Sequence, residues 1–176
     1  AVVINGHVRL SCDQIAQLPN VGIVACSSAG FEAIDDTALR DAGIALTNSS
    51  AALSDDVADV ALMLTLAARR QLVAAHAYVA SGEWGRQGMY PLLSTLKGKR
   101  AGIVGLGTIG TAIAKRFEPF GLEVGYTARS EKPVDLAFFP DTLSLAKWSD
   151  ILVVIVPGGD ETRALISQDV IHAVGP

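Results

Sequence analysis

Short apolar runs in this chain alternate with longer stretches whose hydrophobic positions return every three or four residues. The short runs at 2–5, 21–26, 43–47, 101–104, 121–126 and 151–156 predict strands. The periodic stretches at 11–18, 36–42, 143–147, 162–165 and 168–174 predict helices, the first capped by Ser11. Regular alternation of this kind predicts an α/β fold with parallel strands. The longest periodic stretch predicts one helix over 54–82. Ser54 is placed to cap it, Asp55 and Asp56 favour the positive end of its dipole, and Gly82 supplies a stop. From Val57 to Ala68 this helix is apolar nearly all round, which predicts burial on more than one side, between two domains or between two subunits. Residues 83–96, with Trp84, Tyr90 and Pro91, read as an irregular connecting arm. The pattern therefore divides into two partial domains, 1–53 and 54–176.

The strand at 101–104 runs into Gly105-Leu106-Gly107-Thr108-Ile109-Gly110, and a helical pattern follows through Phe117. Strand, G-x-G-x-x-G and helix in that order form the cradle for a dinucleotide pyrophosphate. Gly105 serves the tight turn, Gly107 lets the phosphates approach the backbone, and Gly110 lets the helix lie close to the strand. Free amides in the first helical turn then face the anion. A carboxylate at the tip of the following strand would bind the ribose 2′-hydroxyl of NAD. Thr127 and Ala128 stand there instead, followed by Arg129, Ser130 and Lys132. A guanidinium, a hydroxyl and an ammonium suit a 2′-phosphate, so the expected cofactor is NADP(H) in preference to NAD(H).

Composition narrows the reading. Half of the 176 residues are hydrophobic and 18% are charged, enough for a sizeable core. The formal charge is −4 with no basic block, which argues against a nucleic-acid partner. Cys12 and Cys26 form no C-x-x-C pair, and they read as two buried free thiols. His7, His76 and His172 share no metal-ligand spacing, so no metal is expected. The apolar stretch 57–68 contains Asp59 and is too short for a bilayer. Nothing at the start resembles a signal peptide, and the expectation is a cytoplasmic protein without a membrane partner. The sequence opens directly on a strand and stops directly after a helix, so it reads as cut at both ends.

Five segments in order resemble the D-isomer-specific 2-hydroxyacid dehydrogenases, nearest the glyoxylate/hydroxypyruvate and hydroxyphenylpyruvate reductase branch. Ser28 to Asp35 is similar to the family's S-x-G-x-D-x-I-D loop. Gly43-Ile44 with Thr47-Asn48 is similar to its G-I-x-V-T-N strand, and Asp55 to Asp59 to the start of its long helix. Lys97 to Arg100 with the three glycines is similar to its cofactor signature, and Val156-Pro157 with Glu161-Thr162 to its P-x-x-x-E-T segment.

The resemblance implies a Rossmann-type doubly wound parallel sheet and part of a smaller flavodoxin-like α/β substrate domain. It implies an oxidoreductase that moves a hydride from NADPH to a small 2-oxo acid, giving a D-2-hydroxy acid. The amides of Ala29 and Gly30 would bind the substrate carboxylate and keto oxygen. Leu106, Thr108 and Ile109 would line the pyrophosphate turn, Val156 and Pro157 would pack near the nicotinamide-side ribose, and Thr162 would also bind the cofactor. The family's catalytic arginine, glutamate and histidine belong to segments that would follow Pro176, so no residue here is assigned a catalytic role. The expected assembly is a homodimer through the 54–82 helix. The alternative is a non-enzymatic nucleotide sensor akin to the corepressors that share this fold. Another doubly wound dehydrogenase is a third reading, and the Ser28–Asp35 loop argues against it.

Overall fold

The computed structural model describes residues 1–174, which form two compact units. The first comprises Ala1–Asp55 and Val156–Leu165; the second comprises Asp56–Ile155 and the segment from Ile166 onward.

In the first unit, β1 (Val2–Ile4), β2 (Ile23–Cys26) and β3 (Ala45–Thr47) form a parallel sheet in that order. Val24, fully buried on the central strand, is flanked by Val2 and Leu46. Helix α1 is short (Cys12–Ile15), and Ser11 receives its cap in reverse, its amide donating to Gln14 Oε1 at 2.9 Å. Helix α2 (Asp36–Asp41) is capped by Asp35, which accepts the amide of Ala38 at 2.9 Å. Leu10, Ile15, Val24, Cys26, Ile34, Leu39 and Ile44 form the core. Cys26 is buried as expected, but Cys12 is exposed: in a single helical turn only Ile15 can point inward.

The second unit carries β4 (Arg100–Val104), β5 (Glu123–Thr127), β6 (Ala137–Phe138) and β7 (Ile151–Val154), all parallel, in the order β6-β5-β4-β7. Chain order thus runs outward from β4 to β6 and then reverses to β7 on the other side. That reversal is the topological switch point of a doubly wound sheet, where ligands bind outside the strand carboxyl ends. Helix α6 (Thr108–Phe117) buries Gly110, Ile113, Ala114 and Phe117, the i, i+3, i+4, i+7 stripe of an amphipathic helix. Helix α7 (Thr142–Trp148) closes down on two strand glycines. A Cβ on Gly102 would lie 2.9 Å from Leu145 Cγ, and one on Gly125 would lie 2.7 Å from the Trp148 ring. Strand β6 has only two residues and no period of its own; pairing with β5, not local pattern, makes it a strand.

The long helix departs from expectation in three ways. It begins at Ser50, as α3 (Ser50–Arg69), where the Asn48 side chain accepts the Ser50 amide at 3.2 Å. Ser54 is not its cap; it lies one turn inside, and its hydroxyl donates to the Ala51 carbonyl at 3.0 Å. The first turn therefore holds no acid. The helix also ends early. Gln71 adopts a left-handed φ of 47°, with Tyr90 Oη donating to its side-chain oxygen at 2.8 Å, and α4 (Leu72–Ala80) starts anew. Finally, α3 is covered along one face only. Ala58 and Thr65 are buried, whereas Val60, Met63 and Leu64 are exposed. The arm that follows is less irregular than its composition suggests, because Glu83–Gln87 forms α5 after Gly82. The stretch 162–165 is not helical: Asp160–Thr162 makes a single 3-10 turn, and Ala164 then takes a φ of 55°. Helix α8 spans Gln168–Ala173. Among the described residues no helix is long and apolar enough to cross a membrane.

At the amino-terminal end of β4, Asp150 accepts the Arg100 amide at 2.9 Å, with Lys99 Nζ at 3.5 Å and Arg100 Nε at 3.4 Å. That main-chain bond, then the Arg100 side chain and the two positive charges, outweighs desolvation and holds its carboxyl below the usual range. Asp141, capping α7, is lowered chiefly by the Ser144 amide.

Candidate functional site

In the second unit the glycine turn follows β4 at the switch point. Gly105 has a φ of 100°, open to glycine and strained for any other residue. Its amide donates to the Thr127 carbonyl at 2.9 Å, which ties the turn to the tip of β5. Gly110 is close-packed: a Cβ there would lie 2.1 Å from the Gly105 carbonyl oxygen and 3.5 Å from Ile103 Cγ2. Gly107 is the opposite case, because a Cβ on it would meet nothing within 4 Å. Packing therefore demands a glycine at 110 and not at 107, where the backbone is left bare to an open space. The amides of Thr108, Ile109 and Gly110 make no hydrogen bond among the described residues. They sit at the positive end of α6, whose last turn carries Lys115 and Arg116. Leu106 buries its side chain in the core and offers only its backbone, while Thr108 is exposed and Ile109 half-buried. Three free amides, a bare approach and a positive dipole end fit a diphosphate.

Beyond Thr127 the chain turns into solvent. Arg129, Ser130 and Lys132 are all exposed, and none of their side chains has a partner among the described residues. The turn itself is fixed from below. Tyr126 is fully buried, its hydroxyl accepts the Lys132 amide at 2.7 Å, and it donates to the Lys132 carbonyl at 3.3 Å. Tyr126 thus anchors the basic loop, a role that its apolar strand context conceals in the sequence.

In the first unit the Ser28–Asp35 loop follows β2. Ser28 Oγ accepts the Gly6 amide at 2.8 Å and donates to the Gly30 carbonyl at 2.9 Å. Asn48 Nδ2 donates to the Ala29 carbonyl at 3.2 Å. With both carbonyls engaged, the amides of Ala29 and Gly30 are left without a protein acceptor among the described residues. A pair of adjacent free amides can receive a carboxylate. Residues 156–165 belong to the same unit. The Thr162 hydroxyl donates to the Pro157 carbonyl at 2.8 Å, which closes the Pro157–Thr162 turn. The Gly158 amide donates to Glu32 Oε1 at 3.1 Å. Val156 is half-buried and Pro157 exposed. Glu32 joins this loop's hydrogen bonding and has no role in the sequence reading; the available signal is the acidic position that the loop pattern carries there.

A sequence model of the D-isomer specific 2-hydroxyacid dehydrogenase NAD binding domain matches residues 62–176. The chain is 42% identical over 176 residues to glyoxylate/hydroxypyruvate reductase A HPR2 of Arabidopsis thaliana, covering 99% of this chain and 56% of that protein. It is 39% identical over 177 residues to hydroxyphenylpyruvate reductase of Plectranthus scutellarioides, covering 100% and 56%. Among solved structures it is similar to NADPH-dependent glyoxylate/hydroxypyruvate reductase of Sinorhizobium meliloti in complex with NADP and malonate. There the TM-score is 0.81 and the identity 33%, covering 98% of this chain and 54% of that one. The 2-hydroxyacid dehydrogenase of Ketogulonicigenium vulgare gives a TM-score of 0.83 at 34% identity, covering 97% and 54%. The chain spans about half the length of the curated relatives it matches.

Proposed function

The chain belongs to the D-isomer specific 2-hydroxyacid dehydrogenases, and on that footing we propose that it carries the coenzyme cradle and the carboxylate-binding loop of an NADPH-dependent reductase. The reductase takes small 2-oxo acids such as glyoxylate or hydroxypyruvate to D-2-hydroxy acids. The observation that carries this reading is the bare turn at Gly107, with three free amides beside it, next to a strand tip that bears Arg129 and Ser130 and no carboxylate.

Each residue has a distinct task. The amides of Thr108, Ile109 and Gly110 receive the diphosphate, and Gly105, Leu106 and Gly107 give it main chain without side chains in the way. Arg129 and Ser130 bind the 2′-phosphate, with Lys132 adding charge. Val156, Pro157 and Thr162 shape the nicotinamide side. The Ala29 and Gly30 amides hold the oxo acid by its carboxylate and keto oxygen. When bound, the reduced nicotinamide supplies the hydride. Glyoxylate/hydroxypyruvate reductases among the relatives support the substrate class, and the NADP-bound neighbour supports the cofactor. The exposed apolar positions Val60, Met63 and Leu64 on α3, with Leu72 and Val73 on α4, form the surface for a second copy of the chain. The enzyme works in the cytoplasm, in keeping with two cysteines that are both free.

The test is a fluorescence titration of the chain with NADPH and with NADH. NADPH should bind more tightly by about tenfold, and Arg129→Ala should remove that margin while leaving NADH affinity unchanged. Equal affinity for the two coenzymes in the unaltered chain overturns the role given to Arg129 and Ser130.

A further inference from the structure

We propose that Glu32 sets the charge class of the substrate, admitting singly charged 2-oxo acids and disfavouring dicarboxylic ones. The inference rests on the carboxylate reading of the Ala29 and Gly30 amides. Three observations point to it. First, the Glu32 carboxylate lies directly against the substrate loop: a Cβ on Gly30 would be 2.6 Å from its Oε2 and 2.9 Å from its Oε1. Second, Oε1 of this exposed side chain accepts the Gly158 amide at 3.1 Å, which holds the carboxylate toward the loop. The loop pattern has an aspartate here, and the extra methylene of glutamate gives the reach to Gly158. Third, its charge is not neutralised. Among the described residues it has no cationic partner, and the only cation on the facing 3-10 turn and its flanks, Arg163, is paired with Asp160 at 2.9 Å. The same turn adds Asp160 and Glu161.

The physical effect follows from Coulomb's law. A carboxylate bound at the Gly30 amide would lie about 8 Å from that of Glu32, taking the reach from amide to Cβ position to Glu32 as an upper bound. In a water-like medium this repulsion weakens binding about twofold per ligand charge. A second carboxylate on the ligand doubles the exponent, so the penalty becomes about fourfold. The amides of Ala29 and Gly30 receive one carboxylate, and Glu32 adds about a further twofold penalty for a second.

The experiment follows the amide resonances of Ala29 and Gly30 by two-dimensional nitrogen–proton NMR during titration. The probes are malonate and its monoamide, which are alike in size and differ by one charge. The ionic strength is kept near 0.01 M, where the screening length is about 30 Å. Glu32→Gln retains an acceptor for the Gly158 amide and removes the charge. It should tighten the monoamide about twofold and malonate about fourfold, and added salt at about 0.5 M should erase both gains. Glu32→Asp keeps the charge and shortens the reach, and it should leave the preference for the monoamide in place. If the two amides respond to the probes but Glu32→Gln leaves the ratio of affinities unchanged, or Glu32→Asp alters it instead, the charge role is wrong and the carboxylate site stands. If neither amide responds to either probe in any variant, the carboxylate site itself is wrong, and the role of Glu32 falls with it.

Discussion

Two glycines of the same motif should fail in opposite ways when replaced by alanine. At Gly110 the new methyl would start 2.1 Å from the Gly105 carbonyl oxygen, so α6 must retreat by about 1 Å from the turn. Overpacking of that kind costs about 1–3 kcal/mol, and each kcal/mol lowers the melting temperature by about 2–4 °C in a chain of this size. At Gly107 the backbone has φ −87° and ψ −160°, which alanine adopts freely, and the methyl meets no atom within 4 Å. Stability there should hold or rise by about 0.4–1 kcal/mol through the less flexible unfolded chain. Binding should show a loss at both positions with different origins. Gly107→Ala puts a methyl where the diphosphate would rest and should weaken NADPH at least about tenfold, or about 1.4 kcal/mol, with the fold intact. Calorimetric melting and NADPH titration on the two variants separate the effects. A Gly107→Ala protein that binds NADPH as tightly as the parent would refute the claim that this turn seats the coenzyme. A Gly110→Ala protein that melts with the parent would refute the packing argument.

The Asp150 carboxyl, held below its ordinary range, contributes stability above its unfolded pKa of about 3.9 and loses it as pH falls through the lower folded value. Asp150→Asn should therefore be less stable than the parent at neutral pH by about 1–3 kcal/mol, and the gap should narrow below about pH 4. Urea melts between pH 7 and 2.5 measure this, and a gap independent of pH would show that the charge contributes nothing. Leu64→Glu places a charge on the exposed apolar face of α3, and light scattering should find a dimeric parent and a monomeric variant; a dimeric variant, or a monomeric parent, removes that face from the assembly.

The parts of the fold that the sequence made legible are those fixed by neighbours along the chain. The strand–turn–helix at 100–117 combines a buried strand, three spaced glycines and an i, i+3, i+4, i+7 stripe, and all three signals lie within one βα unit. What the sequence concealed was set at a distance. The break at Gln71 sits among good helix formers, and the hydroxyl of Tyr90 that meets its side chain lies 19 residues away. The choice of start for α3 fell to Asn48 because several serines and acids compete over nine residues, and only the path of the chain selects one. Strand β6 exists only as a neighbour of β5. At the site, the glycines and the basic loop were readable as types, whereas Tyr126 and Glu32 act through side-chain bonds to main-chain groups six and 126 positions away. No local pattern encodes such pairings.

The chain passes between its two compact units three times, at 55–56, 155–156 and 165–166. The units are therefore interleaved in sequence, and no single peptide cleavage can release both whole. A nick at 55–56 would strip the first unit of the ten-residue excursion that carries Pro157 and Thr162, leaving those residues attached to the wrong fragment. Genetic dissection of the molecule therefore needs an internal deletion with a short bridge across 155–166, and splitting it into halves would yield a first fragment that lacks the amide partner of Glu32.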